Sequence, residues 1–365
     1  MPAAFREINE RSILLDHAKS IANLYCDNFY DKHVKRAWLA STLFDINVPY
    51  DWREETESEP RPKKRKRIKI GPKLVDITLK LSKNLSEIKK DLQEVSDISE
   101  WRNKCALEFV DNFNSQAVYD AERCFSGKND SEFTVITEMD GEVYLVPPKV
   151  RFFNAPISNF CQLIGDSEKF DLIVLDPPWW NKYIRRVKMS NSSAAYQMLA
   201  NEDIKEIPLE RHLHDETFVL VWCTNAETHV NAVSNQFFPK WGLKLVAVWY
   251  WTKITRTAHP VCKFNELNKK QPYERLFIGL PAHSTKAETF PKERFLYSIP
   301  CALHSHKPPL FALFETLKYV PRNPNCLELF ARSLHTGCTS VGMEVLKLQN
   351  KRIFRLATED AKEGA

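Results

Sequence analysis

The stretch FDLIVLDPPWW, residues 170–180, indicates both the class of fold and the place of a functional site. A mostly apolar run of six residues leads into Asp176, and two prolines and two tryptophans follow. Such a run is typical of a strand covered on both faces of a sheet. Proline cannot donate to a sheet ladder, so the strand must end there. Since open α/β sheets bind ligands outside the carboxyl ends of their strands, the pattern predicts a site at Asp176.

Similar short runs recur through the second half of the chain. They lie at residues 150–153, 218–223, 245–251, 275–280 and 326–330. Segments with helical spacing separate them, near residues 201–212, 227–238 and 308–319. Strands that alternate with helices predict an α/β domain with a mainly parallel sheet.

The first half of the chain is predicted to be mainly helical. Residues 1–50 have apolar positions at helical spacing, and residues 73–122 do so again. In the second segment Leu74, Leu81 and Ile88 belong to an amphipathic stripe. The stripe covers only about three heptads, which favours a helix packed on its own domain over a coiled-coil dimer. A monomer is therefore favoured, with the oligomeric state open.

Five segments follow from these patterns. They are a helical segment at 1–50, a charged linker at 51–72, a helical region with a hairpin at 73–143, the α/β domain at 144–350 and a tail at 351–365. The hairpin is predicted across Asp140–Gly141, where alternating residues flank an Asp-Gly turn.

Positive charge is concentrated in the linker. Residues 60–73, PRPKKRKRIKIGPK, carry eight basic and no acidic side chains, whereas the whole chain has a net charge of +5. The rest of the chain is therefore net negative and is not a uniformly basic nucleic-acid binder. The compact KKRKR core at 63–67 predicts a nuclear localisation signal, read by a nuclear import receptor, more than a merely solvated charge run. The expected location is the nucleus, with a cytoplasmic share left open.

Other patterns exclude several classes of function. The nine glycines never form G-x-G-x-x-G or G-x-x-x-x-G-K, so a glycine-cradled dinucleotide and a P-loop are excluded. No apolar run approaches the roughly 20 residues that span a bilayer, and no membrane partner is expected. The nine cysteines form no C-x-x-C pair, and the N-terminus lacks the apolar core of a signal peptide. We therefore expect reduced thiols and no metal, with a zinc site assembled from distant residues as the less favoured alternative.

Asp176 and the residues after it suit a planar group that carries an amine. Two fixed φ angles orient the backbone carbonyls, so the Asp176 carboxylate and the Pro177 carbonyl could accept the two hydrogens of an exocyclic amine. Trp179 could then stack on the ring. The alternative is an Asp-Pro turn that only caps a strand, but Asp-Pro-Pro-Trp after a buried strand favours function. Trp180 is interpreted as packing.

The sequence at this point resembles the adenine-N6 methyltransferases, whose signature is D-P-P-W. Finer features resemble the methyltransferase-like-four branch: VPPK (146–149), PPWWNK (177–182), KKQPYE (269–274), LHSHKPPL (303–310) and LELFAR (327–332). The resemblance runs from about residue 144 to 348. It implies a Rossmann-like methyltransferase domain that follows the mainly helical N-terminal region. It also implies S-adenosylmethionine as cofactor and adenine in a nucleic acid as target.

The resemblance also implies the site residues. The catalytic tetrapeptide is Asp176, Pro177, Pro178 and Trp179. The implied cofactor-binding residues are Lys149, Val150, Asp176, Lys307, Glu328, Leu329, Phe330, Arg332 and Glu344. The implied substrate-binding residues are Trp179, Asn181, Lys182 and Tyr196.

The chain departs from the branch at GCTSVGME, residues 337–344. Met343 replaces an asparagine expected to hydrogen-bond the cofactor, which puts that contact in doubt. Cys338 and Val341 replace tryptophans, as a change in packing would.

Four functions stay open. RNA is the favoured substrate, with a 2′-O-methylated adenosine of small nuclear RNA as one candidate, and DNA is the alternative. A non-catalytic, nucleic-acid-binding partner is a third reading. An amide N-methyltransferase is a fourth, although those enzymes place Asn before Pro-Pro.

Overall fold

The computed structural model describes residues 4–25, 29–50, 72–92, 100–180, 199–264 and 270–358. The strands in these ranges are β1 (Phe5–Asn9), β2 (Ser12–Leu15), β3 (Val34–Leu39), β4 (Phe125–Asn129), β5 (Val135–Met139), β6 (Glu142–Val146), β7 (Val150–Asn154), β8 (Phe170–Leu175), β9 (Leu213–Cys223), β10 (Leu243–Lys253), β11 (Tyr273–Pro281), β12 (Phe295–Ser298), β13 (Cys326–Leu329), β14 (Cys338–Gly342) and β15 (Phe354–Thr358).

The helices are α1 (His17–Ala22), α2 (Pro72–Asp91), α3 (Glu100–Gln116), α4 (Phe160–Ile164), α5 (Asn201–Lys205), α6 (Glu227–Ala232), α7 (Phe238–Lys240), α8 (Lys286–Thr289) and α9 (Phe311–Thr316). A π turn, Val233–Phe237, joins α6 to α7. A 3-10 turn, Leu209–His212, leads into β9. The helices between the strands are short, and the sheet dominates the domain.

One large sheet organises the molecule. Its strand order is β1-β2-β12-β10-β11-β9-β8-β13-β14-β7-β4. From β9 to β7 the neighbours are parallel, and β11 runs antiparallel between β9 and β10. The prediction of a Rossmann-like α/β domain with a mainly parallel sheet is confirmed, and each of the six predicted strands is present.

Both faces of the sheet are buried, which explains the continuous apolar runs. On β8, Leu172 and Val174 pack into one core, and Ile173 and Leu175 pack into the core on the other face. On β10, Trp249 and Trp251 are buried on a single face, at the spacing of two that a strand imposes.

The prediction of a helical segment at 1–50 is wrong. β1 and β2 form a hairpin at the edge of the large sheet, and β2 runs parallel to β12. α1 is only six residues long, and Asp16 caps its amino end, where the Asp16 carboxylate accepts from the Lys19 backbone N–H at 2.9 Å. Ile13 and Leu15 alternate into the core, as strand residues do, and so short a run cannot distinguish the two periods.

The predicted boundaries at 144 and 350 also need correction. β1, β2 and β4 belong to the same sheet as β8, so the α/β domain begins well before residue 144. β15 pairs with β3, so residues 354–358 are a strand and not part of a tail. Pairings between distant segments set these limits, and local sequence patterns carry no signal for them.

The prediction for residues 73–143 is confirmed in outline. α2, α3 and the β5–β6 hairpin are present, and the turn residues Asp140 and Gly141 both have positive φ. Leu81 and Ile88 of α2 pack against Tyr297 of the large sheet, so this helix covers its own domain. The linker at 51–71, with the predicted localisation signal, lies outside the described residues. Among the described helices, none has the length and apolar character to cross a bilayer.

Candidate active site at the carboxyl edge of the sheet

Several strands deliver polar side chains to one edge of the sheet. Asp176 follows β8, and Phe330 follows its parallel neighbour β13. Lys253 ends β10. The antiparallel β11 brings its amino end, with Glu274, opposite Trp251 of β10. Opposed strand directions therefore place two acids and a lysine, distant in sequence, beside one another.

Asp176 is held by two donors from the segment after β12. Lys307 Nζ lies 3.1 Å from Oδ1 and 2.9 Å from Oδ2 of Asp176, and Ser305 Oγ donates to Oδ2 at 3.0 Å. Lys307 Nζ also donates to Ser305 Oγ at 2.8 Å. The Asp176 backbone N–H donates to the Leu329 carbonyl at 3.4 Å. The carboxylate is thus fixed in place.

Lys307 bridges Asp176 to a second carboxylate. Its Nζ lies 3.3 Å from Glu274 Oε2, and Lys253 pairs with the other oxygen of Glu274. Burial by itself would raise the pKa of Glu274, but the ammonium groups of Lys253 and Lys307 outweigh it and hold that pKa at about 2. Burial opposes the charge on Lys307, yet Asp176 and Glu274 raise its pKa above the usual value. The four side chains form alternating, mutually compensated charges.

A groove that is open to solvent lies beside this cluster. Asp176, His306, Lys307, Glu328, Phe330 and His335 are among its lining residues. Glu328 Oε2 lies 3.1 Å from His335 Nε2, but the angle does not suit a hydrogen bond, and this oxygen is buried without a hydrogen-bond partner among the described residues. His306 Nδ1 and His335 Nδ1 are likewise buried without a hydrogen-bond partner among the described residues. Water or a ligand in the groove could supply the partners that these buried polar atoms lack.

The E-L-F-x-R segment reaches the groove in part. Phe330, with φ of +64°, and Arg332 line it, whereas the Leu329 side chain lies in the core. Arg332 Nε donates to Glu344 Oε2 at 3.0 Å, and Lys347 pairs with the other oxygen of Glu344. Glu344 therefore contacts Arg332, which lines the groove.

Gly342 explains how the two segments come so close. A Cβ at this position would lie 2.4 Å from the Ala331 carbonyl oxygen, so any side chain would push β14 away from the Phe330–Arg332 turn. Cys338 and Val341, which occupy tryptophan positions of the branch, are buried in the two cores that flank the sheet.

The predicted roles of Lys149 and Val150 do not fit the fold. Both lie at the amino end of β7, and β7 is parallel to β14, so they are at the opposite edge from Asp176. The Lys149 ammonium instead contacts the Asp130 carbonyl at 2.8 Å and Glu132 at 2.7 Å. Residues 154–156, at the carboxyl end of β7, are the ones on the site's edge. A motif match does not show in which direction a strand runs, so it pointed to the amino end of β7 instead of the carboxyl end.

The burial of the two tryptophans is the reverse of what was predicted. Trp179 is only 6% exposed, its Nε1 donates to the Trp222 carbonyl at 3.0 Å, and Phe237 stacks at 6.2 Å. Trp180 is 49% exposed. Trp179 therefore anchors the turn in the core, and Trp180 presents the open ring.

The Pro177 carbonyl already accepts one hydrogen bond, from the Trp179 N–H at 2.8 Å, and a carbonyl oxygen has a second lone pair. The Pro178 carbonyl accepts from the Leu199 N–H at 3.2 Å. Asn181, Lys182 and Tyr196 lie outside the described residues.

Sequence inspection missed three members of the site: Lys253, Glu274 and Ser305. Glu274 and Ser305 stand within the motifs KKQPYE and LHSHKPPL, but no chemistry was assigned to them. Glu274 is the second residue of the antiparallel strand β11, and only the direction of β11 shows that its amino end lies at the same edge as Asp176.

The N-terminal segment supports the site from behind. His17 of α1 is 2% exposed and contacts the rings of Trp251 and His306 edge-on, at 6.1 and 5.7 Å. Burial lowers the pKa of His17 to about 3 and that of His306 well below its usual value. Two neutral imidazoles therefore form the wall behind Lys307.

The sequence is similar to known proteins over the segment that contains Asp176, Lys307 and Glu328. The MT-A70 family model matches residues 170–344. The chain is 35% identical over 236 residues to N(6)-adenine-specific methyltransferase METTL4 of Mus musculus. The matched segment covers 62% of this chain and 48% of the mouse protein. The chain is 33% identical over 222 residues to a DNA N6-methyl methyltransferase of Caenorhabditis elegans, covering 60% of this chain and 58% of that protein.

A third relative is N6-methyladenosine RNA methyltransferase MTA1 of Cryphonectria parasitica, 37% identical over 206 residues, or 55% of this chain and 60% of that protein. The chain spans about half the length of the mouse protein it matches. The chain therefore carries an MT-A70 family domain over residues 170–344, a domain of S-adenosylmethionine-dependent methyltransferases, and its similarities support the METTL4 branch of that family.

Proposed function

We propose that this protein transfers a methyl group from S-adenosylmethionine to the N6 amine of adenine in a nucleic acid. The observation that carries the proposal is the Asp176 carboxylate, fixed by Lys307 and Ser305 at the carboxyl edge of an MT-A70 domain. Asp176 is the only carboxylate in the D-P-P-W turn, and its backbone neighbours are held by proline rings. This arrangement suits recognition of a neutral amine better than activation of a metal or a covalent nucleophile.

The groove fits S-adenosylmethionine by its chemistry. Glu328 Oε2, His306 Nδ1 and His335 Nδ1 are buried polar atoms that need partners, and the cofactor offers hydroxyl, amino and carboxylate groups. Phe330 and the proline-rich segment after Lys307 supply apolar wall. Lys307, Glu328, Phe330 and Arg332 would hold the cofactor. The bound cofactor supplies a sulfonium methyl group with a good leaving group.

The protein's own residues would position the amine and polarise it. Adenine's amino nitrogen is a poor nucleophile because its lone pair is delocalised into the ring. If Asp176 and the Pro177 carbonyl each accept one N–H, the nitrogen becomes more pyramidal and its lone pair is released for attack. Lys307 and Ser305 keep the Asp176 oxygens from rotating, which is the alignment on which the rate depends. The carboxylate also stabilises positive charge that develops on nitrogen. The methylated nitrogen then loses a proton to solvent.

Trp180 supports a nucleic-acid substrate. An amine of a paired base is out of reach, so the base must be unpaired or flipped. An exposed indole directly after the tetrapeptide offers a face on which such a base, or its neighbour, stacks.

RNA is the favoured polymer, and a 2′-O-methylated adenosine of small nuclear RNA is the finer candidate. The MTA1 relative is named as an RNA enzyme, and the nematode relative, which is named for DNA, supports DNA as the second candidate. The KKRKR block supports a nuclear protein that binds an import receptor, with a cytoplasmic share left open, and the chain is proposed to act as a monomer.

The decisive experiment supplies labelled S-adenosylmethionine with matched RNA and DNA oligonucleotides, one RNA having a 2′-O-methylated adenosine. Digestion to nucleosides then identifies the product. Label in N6-methyladenine of RNA is expected, and label in DNA alone selects the second candidate. Oligonucleotide binding without any transfer would instead identify a non-catalytic partner. Asp176→Ala is the control that must lose the label.

A further inference from the structure

Three side chains of metal-binding type converge at the amino edge of the sheet, opposite the groove. Cys161 belongs to α4, Asp166 follows it in the loop to β8, and His212 ends the turn before β9. One ligand atom from each lies within 4.8 Å of the others. We propose that Cys161, Asp166 and His212 bind a Zn²⁺ ion.

His212 is oriented as a metal ligand. Its Nδ1 lies 2.9 Å from the Glu168 carbonyl, which can only accept, so Nδ1 carries the proton and Nε2 presents a lone pair. Nε2 points at Cys161 Sγ, 3.4 Å away. The ring is fully buried between Phe160, at 5.0 Å, and Phe170, at 6.2 Å. A backbone carbonyl on the far nitrogen and a fixed ring are typical of zinc-ligating histidines.

The donor set selects the metal. A thiolate, a neutral imidazole and a carboxylate suit Zn²⁺, whereas Mg²⁺ and Ca²⁺ prefer oxygen alone. Asp166 is mostly exposed, so water can take the fourth position of a tetrahedral ion. On binding, the Cys161 thiol gives its proton to solvent and the S–Zn bond forms, with no change of oxidation state.

The ion pair between Arg211 and Asp166 competes with metal binding. Arg211 Nη1 lies 3.3 and 3.4 Å from the two oxygens of Asp166. Both side chains are more than half exposed, and pairs of this kind contribute little. The carboxylate can therefore keep Arg211 on one oxygen and offer the other to Zn²⁺, at the cost of some affinity.

The ion would connect the segments that lead into the neighbouring strands β8 and β9. The loop before β8 and the turn before β9 already touch through Lys169 Nζ, which donates to the Arg211 carbonyl at 2.9 Å. A tetrahedral clamp between Cys161 and His212 would hold the same junction. The groove with Asp176 lies at the other edge of the sheet, so the ion would take no part in methyl transfer.

Cobalt is the probe for this site. The full-length untagged chain is stripped with a chelator and titrated with Co²⁺, whose thiolate complexes absorb in the near ultraviolet. We expect one Co²⁺ per chain and a thiolate band that is absent in Cys161→Ser. The matched control Cys124→Ser removes an exposed thiol elsewhere and must keep the band. No band in the wild type, or an unchanged band in Cys161→Ser, would overturn the site.

Asp166→Asn covers the case in which Cys161→Ser does not fold. The side chain is exposed, so the fold should survive, while Zn²⁺ affinity measured by competition should fall by at least roughly tenfold. Equal Zn²⁺ affinity in the wild type and in Asp166→Asn would show that Asp166 is not a ligand. The proposed site would then be refuted, and the contact between Cys161 and His212 would be a hydrogen bond only. None of these outcomes bears on methyl transfer, because the two sites share no residue.

Discussion

Lys307 Nζ lies 2.9 Å from Asp176 Oδ2 and 3.3 Å from Glu274 Oε2, so a single buried ammonium holds two carboxylates. The exposed fractions of the Lys307, Asp176 and Glu274 side chains are 12%, 16% and 24%. Charges this well buried must compensate one another, and removal of one partner exposes the others to the desolvation penalty. The Asp176 carboxylate, which we propose accepts from the amine, is therefore positioned by a network that reaches into β10 and β11.

Asp176→Ala and Asp176→Asn should lower methyl transfer by at least roughly 100-fold, because the acceptor that aligns the amine is lost. Glu274 and Ser305 remain as partners of Lys307, so the protein should stay folded. Incorporation of labelled methyl groups measures the first effect, and circular dichroism checks the second. Lys149→Ala, at the opposite edge, is the control that should keep normal transfer. Near-normal turnover in either Asp176 variant would refute the assignment.

Glu274→Gln should destabilise the protein by about 3 kcal/mol, because Lys253 and Lys307 each lose a charged partner in a mostly buried site. Methyl transfer should fall through kcat while the KM for nucleic acid changes little, since Glu274 acts through Lys307. Denaturant unfolding and steady-state kinetics measure the two effects. A variant as stable as the wild type would show that Asp176 alone holds Lys307.

The low pKa of Glu274 predicts that the free energy of unfolding depends on pH in the acid range. The pKa of Glu274 is about 2 in the folded protein and near 4.5 when unperturbed. Because the folded pKa is depressed, its contribution to stability is complete above pH 4.5 and is lost as the pH falls from 4.5 toward 2. Over that window the free energy of unfolding should fall less steeply in Glu274→Gln than in the wild type. Parallel curves would contradict the compensated-charge network.

His17 predicts a second and higher window. Burial lowers its folded pKa to about 3, whereas the unperturbed value is 6.5. The unfolded chain therefore takes up a proton first, and stability declines as the pH falls from 6.5 toward 3. In His17→Phe this decline should be shallower, although the variant can differ in overall stability. Denaturant unfolding at several pH values tests it, and identical slopes would count against a buried neutral His17.

The two tryptophans should separate stability from binding. Trp179→Ala should cost about 3–5 kcal/mol, because it empties a packed site and orphans the Trp222 carbonyl. Trp180→Ala should change stability by less than about 0.5 kcal/mol, as exposed residues do. It should nevertheless weaken nucleic-acid binding by about 1–3 kcal/mol, the range for loss of one stacked base. Thermal unfolding and fluorescence anisotropy give the two quantities. The reverse pattern would restore Trp179 as the stacking ring.

The sequence by itself determined the class of the domain and its central acid. The run Phe170–Leu175 is apolar on both faces because helices and loops cover the sheet on both sides, so the strand could be recognised locally. The prolines after Asp176 mark where it ends, and the carboxyl end of such a strand is where α/β sheets bind ligands. Lys307 and the E-L-F-x-R segment were found through their motifs.

Only the tertiary structure decided which end of each strand faces the site. Lys149 and Val150 lie at the edge of the sheet opposite Asp176, whereas Glu274 and Lys253 lie at the same edge as Asp176. The sequence did not show this, because strand direction depends on pairing between distant segments. The tertiary structure also turned residues 5–15 from an expected helix into two strands, since pairing with β12 outweighs local spacing. Burial, which no single residue encodes, placed Trp179 in the core and left Trp180 in solvent.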